Sequence, residues 1–269
     1  MTRLQNIGQI QELIAEIRNL RKGYLTNFYL DNFKHQTWIE FGDFKFERIG
    51  ETLFFFRTSD NFTSLFYCST TFEELKSAII HLEQIYPELV KMVDIVGSDA
   101  QCKPIKQLLE NCGYSTYRQL VRMSRITPAE NFEIINPNVT YATLEDSKIV
   151  RDLLCQYFDA RCEQIPYLEE LEEYAKNNQI LVYKELGEIL GFVILESNRS
   201  THYLRYWFVH PEYREKKIGS ILIKFFFYVG RNTRRQLFWV ITDNDNAIKR
   251  YRHYGFVEEN LFDFVMTNK

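Results

Sequence analysis

The stretch Trp207-Phe208-Val209-His210-Pro211-Glu212-Tyr213-Arg214-Glu215-Lys216-Lys217-Ile218-Gly219-Ser220-Ile221-Leu222 decides the reading of this chain. Its aromatic, apolar start predicts a buried strand that ends at Pro211, because proline has no N–H to give a sheet ladder. A ladder that opens there leaves a cleft walled by free backbone groups. A basic loop follows, and Gly219 and Ser220 open a helix marked by Ile218, Ile221, Leu222, Phe225, Phe226 and Val229. The first turn of a helix carries unpaired N–H groups and the positive end of the dipole, which together make an anion site. Gly219 would let a phosphate approach the backbone without meeting a Cβ. Arg214, Lys216 and Lys217 add positive field. The junction therefore reads as a diphosphate cradle; a basic loop that only caps a core helix is the competing reading.

A second constellation follows the next predicted strand, Leu237–Thr242: Asp243-Asn244-Asp245-Asn246-Ala247-Ile248-Lys249-Arg250-Tyr251-Arg252-His253-Tyr254-Gly255-Phe256. Asn244 sits at the strand end, where it can pair with amide groups. Ala247 and Tyr251 are four apart and share a helical face. A small residue at 247 leaves room for a ligand, and Tyr251 could place a hydroxyl in the cleft. An amphipathic helix with a buried tyrosine is the alternative.

Outward from these segments, the second half begins with a strand at Val139–Leu144 and a capping box, Thr143-x-x-Asp146. The helix it opens has the stripe Ile149, Val150, Leu153, Leu154, Tyr157 and Phe158. A short acidic helix covers Tyr167–Asn177. Strands at Gln179–Lys184, Ile189–Ser197 and His202–Val209 precede the long helix, a helix spans Asn246–Tyr254, and a strand Phe262–Met266 closes the order. Strands and helices alternate in the manner of a mixed sheet covered by helices.

The first half predicts a helical segment over 1–35, strands at Phe44–Ile49, Thr52–Arg57 and Thr63–Cys68, and a helix carrying Phe72, Leu75, Ile79, Leu82 and Tyr86. A strand at Leu89–Val96 follows. Asp99 is the expected cap of a helix that stops at Gly113, and Tyr117–Ile126 is the next strand. Asn111-Cys112-Gly113-Tyr114 before Leu120-Val121-Arg122-Met123 parallels His253-Tyr254-Gly255-Phe256 before Phe262-Asp263-Phe264-Val265, which suggests a duplication. Thr127-Pro128-Ala129-Glu130-Asn131 and Asn136-Pro137-Asn138 are the expected linker. The expected division is 1–130 and 137–269.

The 269 residues are 45% hydrophobic and 26% charged, which excludes a disordered, collagen-like or disulfide-scaffold chain. Five cysteines with no C-x-x-C pair point to reduced thiols rather than a zinc ribbon, so no metal is expected. No apolar run is long enough to span a bilayer, no secretory signal is seen, and a cytoplasmic location is expected. The net charge is −3, yet Arg199–Arg252 holds twelve Lys/Arg against four Asp/Glu. A basic stretch within an acidic chain suggests a local anion site. Nucleic acid is the weaker partner, because that stretch is rich in core-type Phe, Ile and Val.

Together the two constellations resemble the GNAT-type N-acyltransferase superfamily. Its signature is V-x-P-x-x-[RQ]-x-x-G-x-[GA], then N-x-x-A-x-x-x-Y-x-x-x-G-F. Val209, Pro211, Arg214 and Gly219 match the first part, and Asn244, Ala247, Tyr251, Gly255 and Phe256 the second. The resemblance covers residues 137–269 and implies an α/β fold, with a mixed sheet flanked by helices in each of two GNAT-like domains. The first would be a degenerate copy without cofactor, since it has no R-x-x-x-x-G loop and Leu109 stands opposite Tyr251. One departure is Lys217, where the family has a glycine. A side chain there would crowd the diphosphate or strain a loop dihedral, and would add a charge.

By resemblance the cosubstrate is acetyl-CoA or another acyl-CoA. Backbone N–H groups of Arg214, Glu215, Lys216, Lys217, Ile218, Gly219 and Ser220 would bind its pyrophosphate. The strand edge at Phe208 and Val209 would pair with the pantetheine arm, amides near Val209 would polarise the thioester carbonyl, and Asn244 and Ala247 would line the site. Tyr251 would protonate the leaving thiolate. The acceptor would be an amine, of a small molecule or of a peptide, lying near Arg161–Glu173, where Glu169, Glu170, Glu172 and Glu173 could attract a cation or simply form a solvated face. The family often places a base on the strand before the cofactor loop. Here one face of that strand would show Tyr203, Arg205 and Trp207, none of them a ready base, while His202, His210 and His253 read as packing or surface residues. An aminoacyl-tRNA-dependent ligase and a non-catalytic CoA-binding protein are the alternative functions. The oligomeric state is left open.

Overall fold

The computed structural model describes residues 1–128 and 134–269, so Ala129, Glu130 and Asn131 of the expected linker lie outside the described residues. The chain packs into two compact units, one made of Met1–Leu120 with Asn260–Lys269 and the other of Val121–Glu259. The unit boundaries fall within two strands, each of which runs from one unit into the other.

The chain order is β1 (Thr2–Arg3), α1 (Ile7–Asn19), β2 (Leu25–Thr26), α2 (Asn32–Phe41), β3 (Phe44–Ile49), β4 (Thr52–Thr58), β5 (Thr63–Ser69), α3 (Phe72–Ile85), β6 (Lys91–Gly97), α4 (Asp99–Glu110) and β7 (Ser115–Ile126). It continues as β8 (Val139–Tyr141), α5 (Leu144–Tyr157), α6 (Leu168–Lys176), β9 (Ile180–Glu185), β10 (Glu188–Ser197), β11 (Thr201–Val209), α7 (Ile218–Val229), β12 (Arg235–Ile241), α8 (Asp245–His253) and β13 (Val257–Thr267). The strands shared between the units are β7 and β13.

In the first unit the strand order is β1-β3-β4-β5-β6-β13. Alternation along the strands sends Phe54, Phe56, Leu65, Tyr67, Val93, Ile95, Phe264 and Met266 to one face, against Leu75, Ile79 and Leu82 of α3 and Leu108 and Leu109 of α4. An aromatic cluster of Phe28, His35, Trp38, Phe44 and Phe55 makes a further part of the core. The expected single helical segment over 1–35 is two helices. Left-handed backbone at Arg21 (φ 56°) and Gly23 (φ 134°) ends the run after α1. A new cap, Asp31, accepts from the Lys34 N–H to start α2. In α4 the cap is Ser98, which forms a capping box with Gln101, and the expected cap Asp99 is the first helical residue instead.

Parallel strands β5 and β6 pair only at Thr63↔Lys91 and Ser64↔Met92, then diverge. The gap is bridged from within. The Asn27 carboxamide accepts from the Tyr67 N–H (2.7 Å) and donates to the carbonyls of Leu65 (3.2 Å) and Asp94 (3.1 Å). Beside it, β2 pairs with β5 at Leu25↔Ser69 and Thr26↔Cys68.

In the second unit β8, β9, β10 and β11 form an antiparallel run, and β12 adds parallel to β11. Thr143 and Asp146 make the predicted capping box of α5. Of its predicted stripe Val150 and Leu154 are buried, whereas Ile149 is exposed. Strand β11 ends at Val209, as in the expected span His202–Val209, just short of Pro211, and Pro211–Lys216 form a 3-10 helix. Gly113 and Gly255, the two members of the internal sequence parallel, both take left-handed backbone (φ 91° and 82°) where a helix turns into a strand.

Candidate active site

Strands β11 and β12 pair at Thr201↔Arg235, His202↔Gln236 and Tyr203↔Leu237, and no further. The rest of β11 keeps a backbone edge turned away from its partner β10. Helix α7 is drawn hard against β10 and β11 by two glycines. A Cβ on Gly191 would lie 2.8 Å from the Phe208 carbonyl and 3.1 Å from both Ile218 and Leu222. One on Gly219 would lie 3.2 Å from the Trp207 ring and 3.4 Å from Val209. The direction in which Gly219 lacks a side chain is thus filled by Trp207. Its role is close approach of helix to strand, and any anion is left to the amide groups.

Those amides are open. Lys217 precedes α7 with no side-chain cap, and the first α7 N–H bonded back to it is that of Ile221. The N–H groups of Ile218, Gly219 and Ser220 are the orphan donors of a helix N-terminus. Lys217 holds φ 60° and ψ 17°, the left-handed region that a glycine enters without cost. Arg214, Glu215, Lys216 and Lys217 are exposed, and Lys216 pairs with Glu185. The Ile218 side chain is core, and Ser220 Oγ accepts from the Tyr254 hydroxyl at 3.4 Å. The Trp207 indole N–H is buried with no hydrogen-bond partner. A buried donor left unpaired costs about 1–3 kcal/mol. A ligand acceptor at this corner would satisfy it. The diverging strands, the open amides and this orphan donor fit the diphosphate and amide-bearing arm of an acyl-CoA.

Helix α8 presents Tyr251 to the same corner. Its ring lies 4.1 Å from Phe238 and 5.7 Å from Trp207, centroid to centroid. Burial, opposed by Arg250 and helped by the Glu163 carboxylate, pushes its phenol up to about 12. Tyr251 therefore holds its proton at neutral pH, as a donor must. Asn244, past the end of β12, pairs with an amide group. It caps α8, accepting from the Ala247 N–H at 3.2 Å. Phe208 points to the opposite face, where it packs on Tyr157, Phe158 and Phe192. The structure thus brings Val209, Gly219 and Tyr251 together around Trp207, and leaves the Phe208 and Ile218 side chains in the core.

The expected face of β11 is broken by a bulge. Ile194 pairs with Tyr206 and Leu195 with Leu204, so Arg205 is an extra residue. Trp207 consequently faces α7, while Arg205 pairs with Glu196, which also accepts from Tyr174 of α6. His202 is fully buried, stacked 4.2 Å from Phe226 and within 2.6 Å of Ser197 Oγ. His210 contacts the Tyr157 hydroxyl at 3.2 Å, and His253 is exposed. Of the four α6 glutamates, Glu170 is buried and takes the Tyr167 N–H, and Glu173 engages Asn177 and Lys176.

A carboxylate that sequence reasoning did not single out enters from the loop between α5 and α6. Glu163 accepts from the Asp159 N–H at 3.1 Å, and burial, helped by the nearby Asp159 charge, pushes its acid up to about 7. The only sequence trace is the Asp159-x-x-x-Glu163 spacing, which says nothing of burial.

Among the described residues no helix is long and apolar enough to cross a membrane, and no three His, Cys, Asp or Glu side chains cluster to hold a metal ion. Residues 147–256 match the model of the acetyltransferase (GNAT) family. No curated protein matches the chain in sequence. Among solved structures, a tandem GNAT protein from the clavulanic acid biosynthesis pathway has 12% identity and a TM-score of 0.59, with 99% of this chain and 96% of that one covered. A GNAT-family acetyltransferase from Colwellia psychrerythraea has 13% identity and a TM-score of 0.55 over 98% and 97%. A GCN5-related N-acetyltransferase from Sphaerobacter thermophilus has 15% identity and a TM-score of 0.57 over 80% and 76%. The fold is that of two GNAT-like domains, and the match to the acetyltransferase (GNAT) family lies within the second unit, over residues 147–256.

Proposed function

We propose that the second unit is an acyl-CoA-dependent N-acyltransferase with a single active site, most simply one that moves acetyl from acetyl-CoA to a primary amine of a small molecule or peptide in the cytoplasm. The observation that carries this reading is the convergence, around the unpaired Trp207 indole N–H, of the open α7 amides and the protonated Tyr251 phenol. When bound, the acyl-CoA supplies an acyl group activated as a thioester. Residues 214–220 hold the diphosphate through the N–H groups at the start of α7. The free edge of β11 near Val209 takes the amide-bearing arm, and an amide there polarises the acyl carbonyl. Tyr251 gives its proton to the departing sulfur.

In the division expected from sequence, residues 137–269 carry the chemistry and residues 1–130 support it. The first unit holds no cofactor in this reading, because Asn27 and β2 already occupy the edge of β5 beside its own diverging strands. Titration calorimetry with acetyl-CoA tests the assignment. One molecule should bind per chain, and thiol release with an amine panel should follow. No binding at millimolar acetyl-CoA would overturn it.

One observation favours a second reading, a CoA-binding protein without turnover. Lys217 occupies, in a strained left-handed conformation, the position of a family glycine. Binding without thiol release across the amine panel would select that reading.

A further inference from the structure

We propose that Glu163 is the group that takes the proton from the attacking amine, facing Tyr251 across the acyl-transfer corner. This rests on the acyltransferase reading and names a residue for it.

The side chains nearest in sequence to the cofactor loop are excluded by their contacts. The bulge at Arg205 commits that residue to Glu196 and turns the uncharged Trp207 toward α7. His202 is sealed beneath Phe226, and His210 is held against Tyr157. The loop that carries Glu163 is instead tied over the diverging half of β11. The Tyr206 hydroxyl donates to the Gln164 carbonyl at 2.7 Å, and the Phe158 ring meets Tyr206 edge-on at 5.4 Å. The Glu163 charge adds to burial in raising the Tyr251 phenol on α8. One carboxylate oxygen, Oε2, is anchored by the Asp159 N–H, which fixes the group and leaves Oε1 to receive a proton.

The titratable group acting on Glu163 is Asp159, on its own loop; Glu163 and Arg250 in turn act on the Tyr251 phenol, in opposite directions. Burial and Asp159 set the acid at about 7, which is where a general base is most effective at neutral pH. The step balances. Glu163 takes one proton from the ammonium and frees its lone pair. The C–N bond forms as the C–S bond breaks, its electron pair goes to sulfur, and sulfur takes the Tyr251 proton. The second amine proton restores Tyr251, and Glu163 loses its proton to solvent.

The test uses the full chain and Glu163→Gln, which copies the shape of the protonated acid. At pH 7, kcat/KM for the amine should fall about 100-fold or more, while acetyl-CoA affinity is unchanged. The deficit should shrink as pH rises toward the amine's own range, where free base is abundant. Glu163→Asp should recover part of the rate. A readout without cosubstrate accompanies these: carboxyl-carbon NMR should show one glutamate titrating near 7 in the native protein and none in Glu163→Gln. A native rate and pH profile in Glu163→Gln, or no titration assignable to residue 163, would overturn the proposal. If the native protein itself transfers to no amine, the acyltransferase reading fails, and the carboxyl-carbon titration, which needs no cosubstrate, keeps the two failures distinct.

Discussion

Lys217→Gly should stabilise the protein, although it replaces a charged side chain by none. Lys217 sits at φ 60° and ψ 17° between the 3-10 helix and α7. Left-handed backbone costs an L-residue roughly 1–2 kcal/mol. Glycine enters it freely but loses more chain entropy on folding, worth roughly 0.5–1 kcal/mol. The difference leaves a net gain of about 0.5–1 kcal/mol. The right comparison is Lys217→Ala, which removes the same charge and keeps the strain. Lys217 is exposed, so the alanine variant should stay within about 0.5 kcal/mol of the native protein. Urea unfolding followed by fluorescence gives both values, and the glycine variant should have the higher midpoint of the pair. If the glycine variant unfolds at a midpoint no higher than the alanine one, the strain does not exceed the entropy cost of glycine and the argument fails. The same pair separates two effects on acetyl-CoA. Loss of charge weakens binding in both variants, whereas relief of crowding strengthens it most in the glycine one.

Tyr251→Phe should lower kcat more than tenfold with acetyl-CoA binding intact; an unchanged kcat in steady-state assays removes the proton-donor role. Asn27→Ala strips three hydrogen bonds that bridge β5 and β6 and leaves the Tyr67 N–H unpaired, so calorimetric unfolding should show a loss of about 2–4 kcal/mol. His35 and His202 are held down at about 4 by burial, against 6.5 for an ordinary histidine. Between those values the unfolded chain takes up protons that the folded one refuses, so stability is lost as pH falls from 6.5 to 4, by up to about 3 kcal/mol per histidine. Denaturant midpoints across that range should flatten in a His35→Leu, His202→Leu variant.

Much of the fold is written locally. Thr143 and Asp146 announce a helix start, Gly113 and Gly255 announce two helix exits, and the period-two runs of β4 and β5 announce strands. Tyr251 follows from its four-residue step after Ala247. What the sequence hides is pairing at a distance. The bulge at Arg205 arises from how β10 and β11 register, and it reverses the face on which Trp207 stands. Gly219 invites a phosphate on paper, yet its open side is taken by the indole of Trp207, twelve residues earlier on the strand. Glu163 reads as one acidic residue among many, because only the folded loop buries it. Asn27 gives no local sign that its amide spans two strands.

The order in which the chain is made acquires meaning from the path of β13. Its stretch Phe262–Thr267 lines up against β6, and Asn260–Lys269 count among the first unit. Domains usually fold as they leave the ribosome, the earlier one ahead of the later. Here the earlier one must wait with β6 uncovered on that side until nearly all of the later one has been synthesised. A nonsense codon near position 260 would thus injure the half of the protein that was translated first.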